Sequence, residues 1–382
     1  MKILHVVPGL RSGGVAQVVY DLSKSQIAKG WEVSVISIHK DGYDDNAQRF
    51  ADIDVTIDII ITRTRFDIGI INKLRKKFID FDIVHVHLFP NQLLASLANR
   101  FIVKSKRPKL ITTEHSTWNN RRKYKILRSF DRYMYAAYDR IVTISPQTYS
   151  TLTEWLKSNK LSKKIININN GVEISKFQIG WTDLLRTMLH IPENHVIVTM
   201  VARMSYPKDP VTLVKAAALI KKIDVVFIGD GILNDSVREE AERLGISKRV
   251  HILGLRNDVP SLLSDSDIGC LSTKWDGFGL VAVEYMAAGL PVLVTDVPGL
   301  REVVGCKEAL FPYKDYKTLA NKLEMLINSN EYNNSQREYS LERCRLFDVH
   351  NMTSAYNSLY SELVSNDKEI DVIIKAEPNT YQ

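Results

Sequence analysis

The sequence predicts an α/β protein with two open, parallel, Rossmann-like sheets in succession. Short β-branched runs alternate with longer amphipathic segments, the order that builds parallel βαβ units. That pattern lapses between residues 173 and 192 and then starts again. The length agrees, since 382 residues suit two domains better than one. The chain is therefore divided into a first domain at 1–172, a connecting region at 173–192 and a second domain at 193–345. A last helix at 346–365 and a polar tail at 366–382, expected to fray, complete it.

Taken in order, KILHVVP is a strand that runs into the loop GLRSGG. VAQVVYDLSKSQIAKG reads as a helix ended by Gly30. WEVSVISIH, DIVHVHLF, KLITTEH and RIVTIS are the next four strands, the last preceded by a helical stretch from Lys125 to Tyr138. In the second half VIVTMVARM, Asp224–Ile228, VHILG, IGCLS and PVLVTD read as strands, with DPVTLVKAAALIKK a helix among them. An amphipathic segment at Met352–Val364 is the last element.

Composition narrows the class. The chain is 45% hydrophobic and 25% charged, as expected of a folded protein with an ample core. Cys270, Cys306 and Cys344 are few, odd in number and without metal-ligand spacing, which points to a reducing, cytoplasmic setting. MKILHVVPGL lacks a basic leader region and a cleavage site, and is read as strand and loop. No segment approaches the roughly 18 apolar residues of a membrane helix.

Charge is unevenly spread. Residues 1–172 hold 28 Lys and Arg against 15 Asp and Glu, a net of +13, whereas the remainder carries −6. Basic clusters stand at Lys73–Lys77, Lys104–Lys109 and Arg121–Arg128. Solvated helix faces would explain any one of them. The bias of the whole half implies an anionic partner, either a membrane surface or a phosphorylated lipid. Nucleic acid is not expected, because no zinc-finger or RNP-type motif is present.

Several motifs sit where a strand passes into a helix. In Arg11–Gly14 the glycines let backbone approach an anion at a helix start, although a plain tight turn would look the same. Gly-x-Gly-x-x-Gly and Walker A patterns are absent from the sequence. Arg203 closes a strand and Lys208 follows it, two cations at the ligand end of an open sheet; a surface pair is the plainer reading. Asp276-Gly-Phe-Gly-Leu-Val-Ala-Val-Glu284 is more specific. A helix starting near Leu280 would place Glu284 one turn in and turn its first amides toward a diphosphate. Asp276 would remain in the loop, where the paired glycines free the backbone to wrap a polar ligand.

His115 ends a strand and is placed for ligand contact. His85 and His87 alternate on one strand and face the same way. They are read as a packed, hydrogen-bonded pair, with no further ligand cluster to make a metal site. Asp80-Phe-Asp82 and Asp265-Ser-Asp267 match a metal-binding pattern, but each directly precedes an apolar strand and is read as a polar strand start. No metal or other cofactor is expected.

GLRSGG, ITTEH, INNGVE, VARMSYPKD, FIGDG, ILG and DGFGLVAVEYMAAGLPV occur in that order. Together they resemble the retaining glycosyltransferases of family 4, which have the GT-B fold, over about residues 1–362. The resemblance implies two Rossmann-like domains facing a central cleft. The first would bind the acceptor and the second a nucleotide-sugar donor, with UDP-sugars favoured. Gly14 would approach the donor diphosphate and His115 would sit beside the transferred sugar. Arg203 and Lys208 would bind the diphosphate, and Gly254 and Arg256 would lie near the base. Glu284 would hold the ribose, while Phe278, Gly279 and Leu280 would contact sugar and phosphate through their backbone. The last helix would cross back to the first domain.

The family usually has Glu where this chain has Asp276, a carboxylate one methylene shorter. That departure bears on which donor sugar is preferred. The expected reaction is metal-independent transfer with retention, onto a saccharide acceptor carried on a polyprenyl diphosphate, in surface polysaccharide assembly. Rival readings are a GT-B type nucleotide-sugar epimerase, a non-catalytic glycan-binding partner subunit and an NAD-dependent oxidoreductase. The missing dinucleotide fingerprint counts against the last.

Overall fold

A computed structural model describes residues 1–10, 13–39, 47–62 and 67–365. Arg11 and Ser12 of the first glycine loop, and the tail at 366–382, lie outside the described residues.

The first sheet holds β1 (Lys2–Val7), β2 (Glu32–His39), β3 (Thr56–Ile61), β4 (Ile83–His87), β5 (Lys109–Glu114), β6 (Arg140–Thr143) and β7 (Ile165–Asn167). The second holds β8 (Val196–Val201), β9 (Ile223–Ile228), β10 (Val250–Ile252), β11 (Ile268–Leu271), β12 (Val292–Thr295) and β13 (Leu310–Phe311). Their orders are β3-β2-β1-β4-β5-β6-β7 and β10-β9-β8-β11-β12-β13, so the two sheets are wound alike. Every neighbouring pair is parallel. The reversal of strand order falls between β1 and β4 in the first sheet and between β8 and β11 in the second. Ligands of open parallel sheets bind outside the carboxyl ends of the strands at that switch.

Three strands escape the sequence pattern. β3 is an edge strand with a half-exposed face, preceded by a helix of only five residues, so it lacks the usual helix-then-strand cue. β7 and β13 have three and two residues, too few for a period to register.

Both faces of the first sheet are covered. Leu4, Val6, Val84, Val86 and Leu110 pack with Met134, Tyr138 and Leu152 on one side. On the other, Ile3, Ile83, Ile111 and Val142 meet Val18 and Leu22 of the helix Gly14–Ala28. They also meet Met352, Tyr356, Tyr360 and Leu363 of the last helix, Val349–Ser365. That helix follows a bridge in which Val172 N–H donates to the Phe347 carbonyl and Val349 N–H to the Val172 carbonyl, both at 2.9 Å. Gly171 is needed there, because a Cβ would lie 2.7 Å from Val349 Cα.

Both Asp-x-Asp segments do structural work. Asp82 accepts the Lys2 amide at 2.7 Å and ties β4 to β1. Asp265 accepts the amides of Thr182, Asp183 and Leu185 at 2.7–3.0 Å, and Asp267 accepts that of Ile197 at 2.8 Å.

Candidate active site

The ligand ends of the two sheets meet. Gly14 begins the first helix, and a Cβ built on it would stand 3.0 Å from Leu280 Cδ1, at the start of the helix Leu280–Ala287. One residue after β5, the His115 carbonyl comes so near Gly277 that a Cβ there would be 2.6 Å away. Ser145 caps the helix Pro146–Leu156 by accepting the Thr148 amide, and its hydroxyl donates to the Gly277 carbonyl at 3.0 Å. The first sheet's strand ends thereby grip the DGFG loop of the second. Gly279 caps the helix Leu280–Ala287 with φ of +89°, which glycine alone adopts without strain.

The charged groups gather at the second switch point. Arg203 lies two residues beyond β8 and is exposed. Lys208 Nζ donates to Asp276 Oδ2 at 2.7 Å, with both side chains about one-fifth exposed. Asp276 Oδ1 accepts the Phe278 amide at 3.2 Å, which steadies the loop before the helix. The carboxylate that the resemblance turns toward a donor sugar thus also neutralises the nearer phosphate-suited cation. Tyr206 and Trp275 flank this pair in sequence and stack edge to face at 4.7 Å.

Glu284 is half-buried in the second turn of its helix and makes no side-chain bond among the described residues. Burial without a partner pushes its carboxyl up to about 7. A hydroxyl-rich ligand would supply the missing donors. Gly254 takes φ of +68° and its carbonyl accepts the Gly229 amide at 2.8 Å, fixing the loop after β10. Arg256, in the same loop, is held by a neighbouring carboxylate. Its Nε and Nη2 fork onto Asp258 at 2.8 and 2.6 Å, so the guanidinium is already committed.

The histidine reading needs a correction. His85 and His87 do not form a closed pair, because β1 lies alongside β4 in register and brings His5 beside His85. His5, His85 and His87 are buried, and one nitrogen from each lies within 4.8 Å of the others. These are the groups among the described residues that could gather a metal ion. Their nitrogens are occupied, however. His5 Nδ1 meets His87 Nε2 at 3.3 Å, and His5 Nε2 meets Gln26 Oε1 at 3.0 Å. His87 Nδ1 meets His115 Nε2 at 3.0 Å. His85 is held by Thr113 Oγ1 at 2.7 Å and by the Tyr360 hydroxyl. Burial pushes His5 down to about 4 and His115 to about 3, with His85 and His87 also well below their ordinary value. The lone histidine in the apolar run KILHVV was the sequence signal for this cluster.

The third basic cluster also changes. Arg121 pairs with Asp131 at 2.9 Å and covers the Phe89 ring, and Arg122 is buried against the Thr117 carbonyl. Lys123 and Lys125 remain exposed, interleaved with exposed Tyr124 and Ile126.

Two facing parallel sheets, with cations and a helix start gathered where their strand orders reverse, form the GT-B architecture of nucleotide-sugar glycosyltransferases. Residues 12–176 match the Glycosyltransferase Family 4 description and residues 183–343 match Glycosyl transferases group 1. The chain belongs to this family of group 1 glycosyltransferases. It is 26% identical to the UDP-Gal:alpha-D-GlcNAc-diphosphoundecaprenol alpha-1,3-galactosyltransferase of Escherichia coli, covering 77% of this chain and 78% of that one. It is 27% identical to the N-acetyl-alpha-D-glucosaminyl L-malate synthase of Bacillus anthracis, covering 76% and 77%. Among solved structures, Anabaena HepE in complex with UDP and glucose superposes with a TM-score of 0.83 at 18% identity, covering 95% of this chain and all of that one.

Proposed function

We propose that the chain transfers a hexosyl or N-acetylhexosaminyl group from a UDP-sugar to a hydroxyl of a saccharide carried on a polyprenyl diphosphate, with retention and without a metal. The meeting of the Gly14 and Leu280 helix starts beside Lys208 and Asp276 carries this reading. Arg203, Lys208 and the first amides of the helix Leu280–Ala287 stabilise the departing diphosphate. Glu284 accepts from the ribose hydroxyls, and backbone at Phe278–Leu280 lines the sugar and phosphate. The acceptor hydroxyl attacks from the face the diphosphate leaves and gives up its proton to it.

A lipid-borne acceptor accords with the +13 charge of residues 1–172. It also accords with Arg122, whose Nε and Nη2 are buried without a partner among the described residues. A buried cation in that state favours an arriving anion. The exposed Lys123-Tyr124-Lys125-Ile126 stretch suits peripheral docking on the inner face of an anionic membrane. Surface polysaccharide of the capsule, exopolysaccharide or O-antigen type is the proposed product.

A thermal-shift screen of UDP-, GDP- and ADP-sugars, followed by release of the free nucleotide with and without EDTA, tests the donor side. UDP-sugars are expected to stabilise most and EDTA to change nothing. Stabilisation by GDP- or ADP-sugars alone would reassign the base. Loss of turnover in EDTA, restored by manganese, would refute the metal-free reaction.

A further inference from the structure

Four side chains, from the first helix, β1, β4 and the loop after β5, form an unbroken line. Gln26 Oε1 meets His5 Nε2 at 3.0 Å. His5 Nδ1 meets His87 Nε2 at 3.3 Å, and His87 Nδ1 meets His115 Nε2 at 3.0 Å. Gln26, His5 and His87 are fully buried, and His115 is half-buried beside the DGFG loop. Burial keeps all three imidazoles neutral at pH 7. A neutral imidazole has one donor and one acceptor nitrogen, so a line of them must point one way.

The amide sets the direction. An amide oxygen only accepts, so the proton of His5 sits on Nε2 and its Nδ1 must accept from His87 Nε2. By the same step His87 Nδ1 accepts from His115 Nε2. The remaining nitrogen of His115, Nδ1, is then left with a bare lone pair. Turning the Gln26 amide over would reverse all three bonds and put the proton on Nδ1 of His115. His85 stands outside the line, locked by Thr113 and by Tyr360 of the last helix.

We propose that Gln26, His5 and His87 are positioning residues that fix the tautomer of His115, so that its Nδ1 is presented as a hydrogen-bond acceptor to a hydroxyl of the bound sugar. That the recipient is a sugar hydroxyl rests on the sugar-transfer reading, whereas the tautomer rests on the hydrogen-bonded line alone. A metal ion at His5, His85 and His87 would be the rival use of the same nitrogens, and would have to displace bonds that are already made.

Nuclear magnetic resonance of the full chain with isotope-labelled histidine reads the tautomer directly, without substrate. His115 is expected to carry its proton on Nε2. In Gln26→Met the His115 signals should move toward a mixture of tautomers. Turnover of a UDP-sugar should fall about tenfold in kcat, the worth of one oriented hydrogen bond, with KM within about twofold. His87→Gln keeps an acceptor and a donor and should retain the native tautomer, whereas His87→Phe should lose it, so an unfolded Gln26 variant does not end the test. A proton on His115 Nδ1 in the native chain, or an unchanged tautomer in both Gln26→Met and His87→Phe, overturns the proposal. One equivalent of zinc in the purified chain, lost in His5→Ala, overturns it in favour of a metal centre. If the tautomer is as expected and no nucleotide sugar is turned over, the transfer reading fails and the relay stands.

Discussion

At the ligand edge of the first sheet stand His5, His85, His87 and Thr113, all buried, with His115 half-buried at the end of the line. At the matching edge of the second, β8 runs into Val201 and Ala202 and β11 into Cys270 and Leu271. Among the described residues its charged groups stand in the loops, with Arg203, Lys208, Asp276 and, one turn into a helix, Glu284, while Thr295 is a buried hydroxyl at the end of β12. The windings are the same, yet the materials differ. The first half orients its site through imidazoles that bond one another and are shielded from water. The second relies on glycine-shaped backbone, ion pairs and a helix start. A shared topology therefore specifies where a ligand sits and leaves open how the site is held.

The sharpest test of this contrast is on the second half. Arg203→Ala and Lys208→Ala should each lower kcat/KM for donor turnover on the order of 10²-fold, because a preorganised cation acts on charge that develops in the transition state. Melting temperatures should stay near that of the parent chain. Near-normal turnover in both variants would move the phosphates elsewhere.

Acid should single out the first half. His5 has a folded value of about 4 against an ordinary 6.5. Its share of stability is complete above pH 6.5 and is lost as pH falls through 4. From His5 alone that amounts to roughly 3 kcal/mol. Urea midpoints between pH 7 and 4.5 should fall steeply, and less so in His5→Gln. Parallel slopes in the two proteins would remove the buried histidines from the explanation.

Glu284 moves the opposite way. Its carboxyl is raised from 4.5 to about 7, so stability is lost as pH rises through that window. Glu284→Gln should stabilise the ligand-free chain at pH 8 by about 1–2 kcal/mol, its partial exposure reducing the gain. The same change should weaken UDP binding, read by calorimetry. Stabilisation with unchanged UDP affinity would separate Glu284 from the ribose.

The smallest effect is expected at the surface. Lys123→Glu and Lys125→Glu should each weaken co-sedimentation with anionic vesicles about fivefold at low salt, an effect that added salt erases. Arg121 and Arg122 are unsuited to this test, because one pairs with Asp131 and the other is buried. Equal binding to neutral vesicles would argue against a membrane-borne acceptor.

Much of this was local and therefore legible in the chain. The period of the apolar runs located the strands other than β3, β7 and β13, and the order of strand and helix made both sheets parallel. Gly277, Gly279 and Glu284 could be placed on a loop and a helix start because helix spacing is a property of neighbours in sequence. The Asp-x-Asp segments were recognisable as strand starts for the same reason.

What only the tertiary structure decided depends on register and on long-range approach. His5 lies far from His85 in the chain, and the parallel pairing of β1 with β4 sets them side by side. Lys208 and Asp276 follow different strands, and their 2.7 Å contact arises because both loops leave the same edge. The fork of Arg256 onto Asp258 is local, but side-chain rotamers rather than spacing choose it. Composition and periodicity determine which segments are buried and how they wind. Which polar groups meet inside is settled only when strands are aligned, because a shift of one residue would turn each histidine to the opposite face.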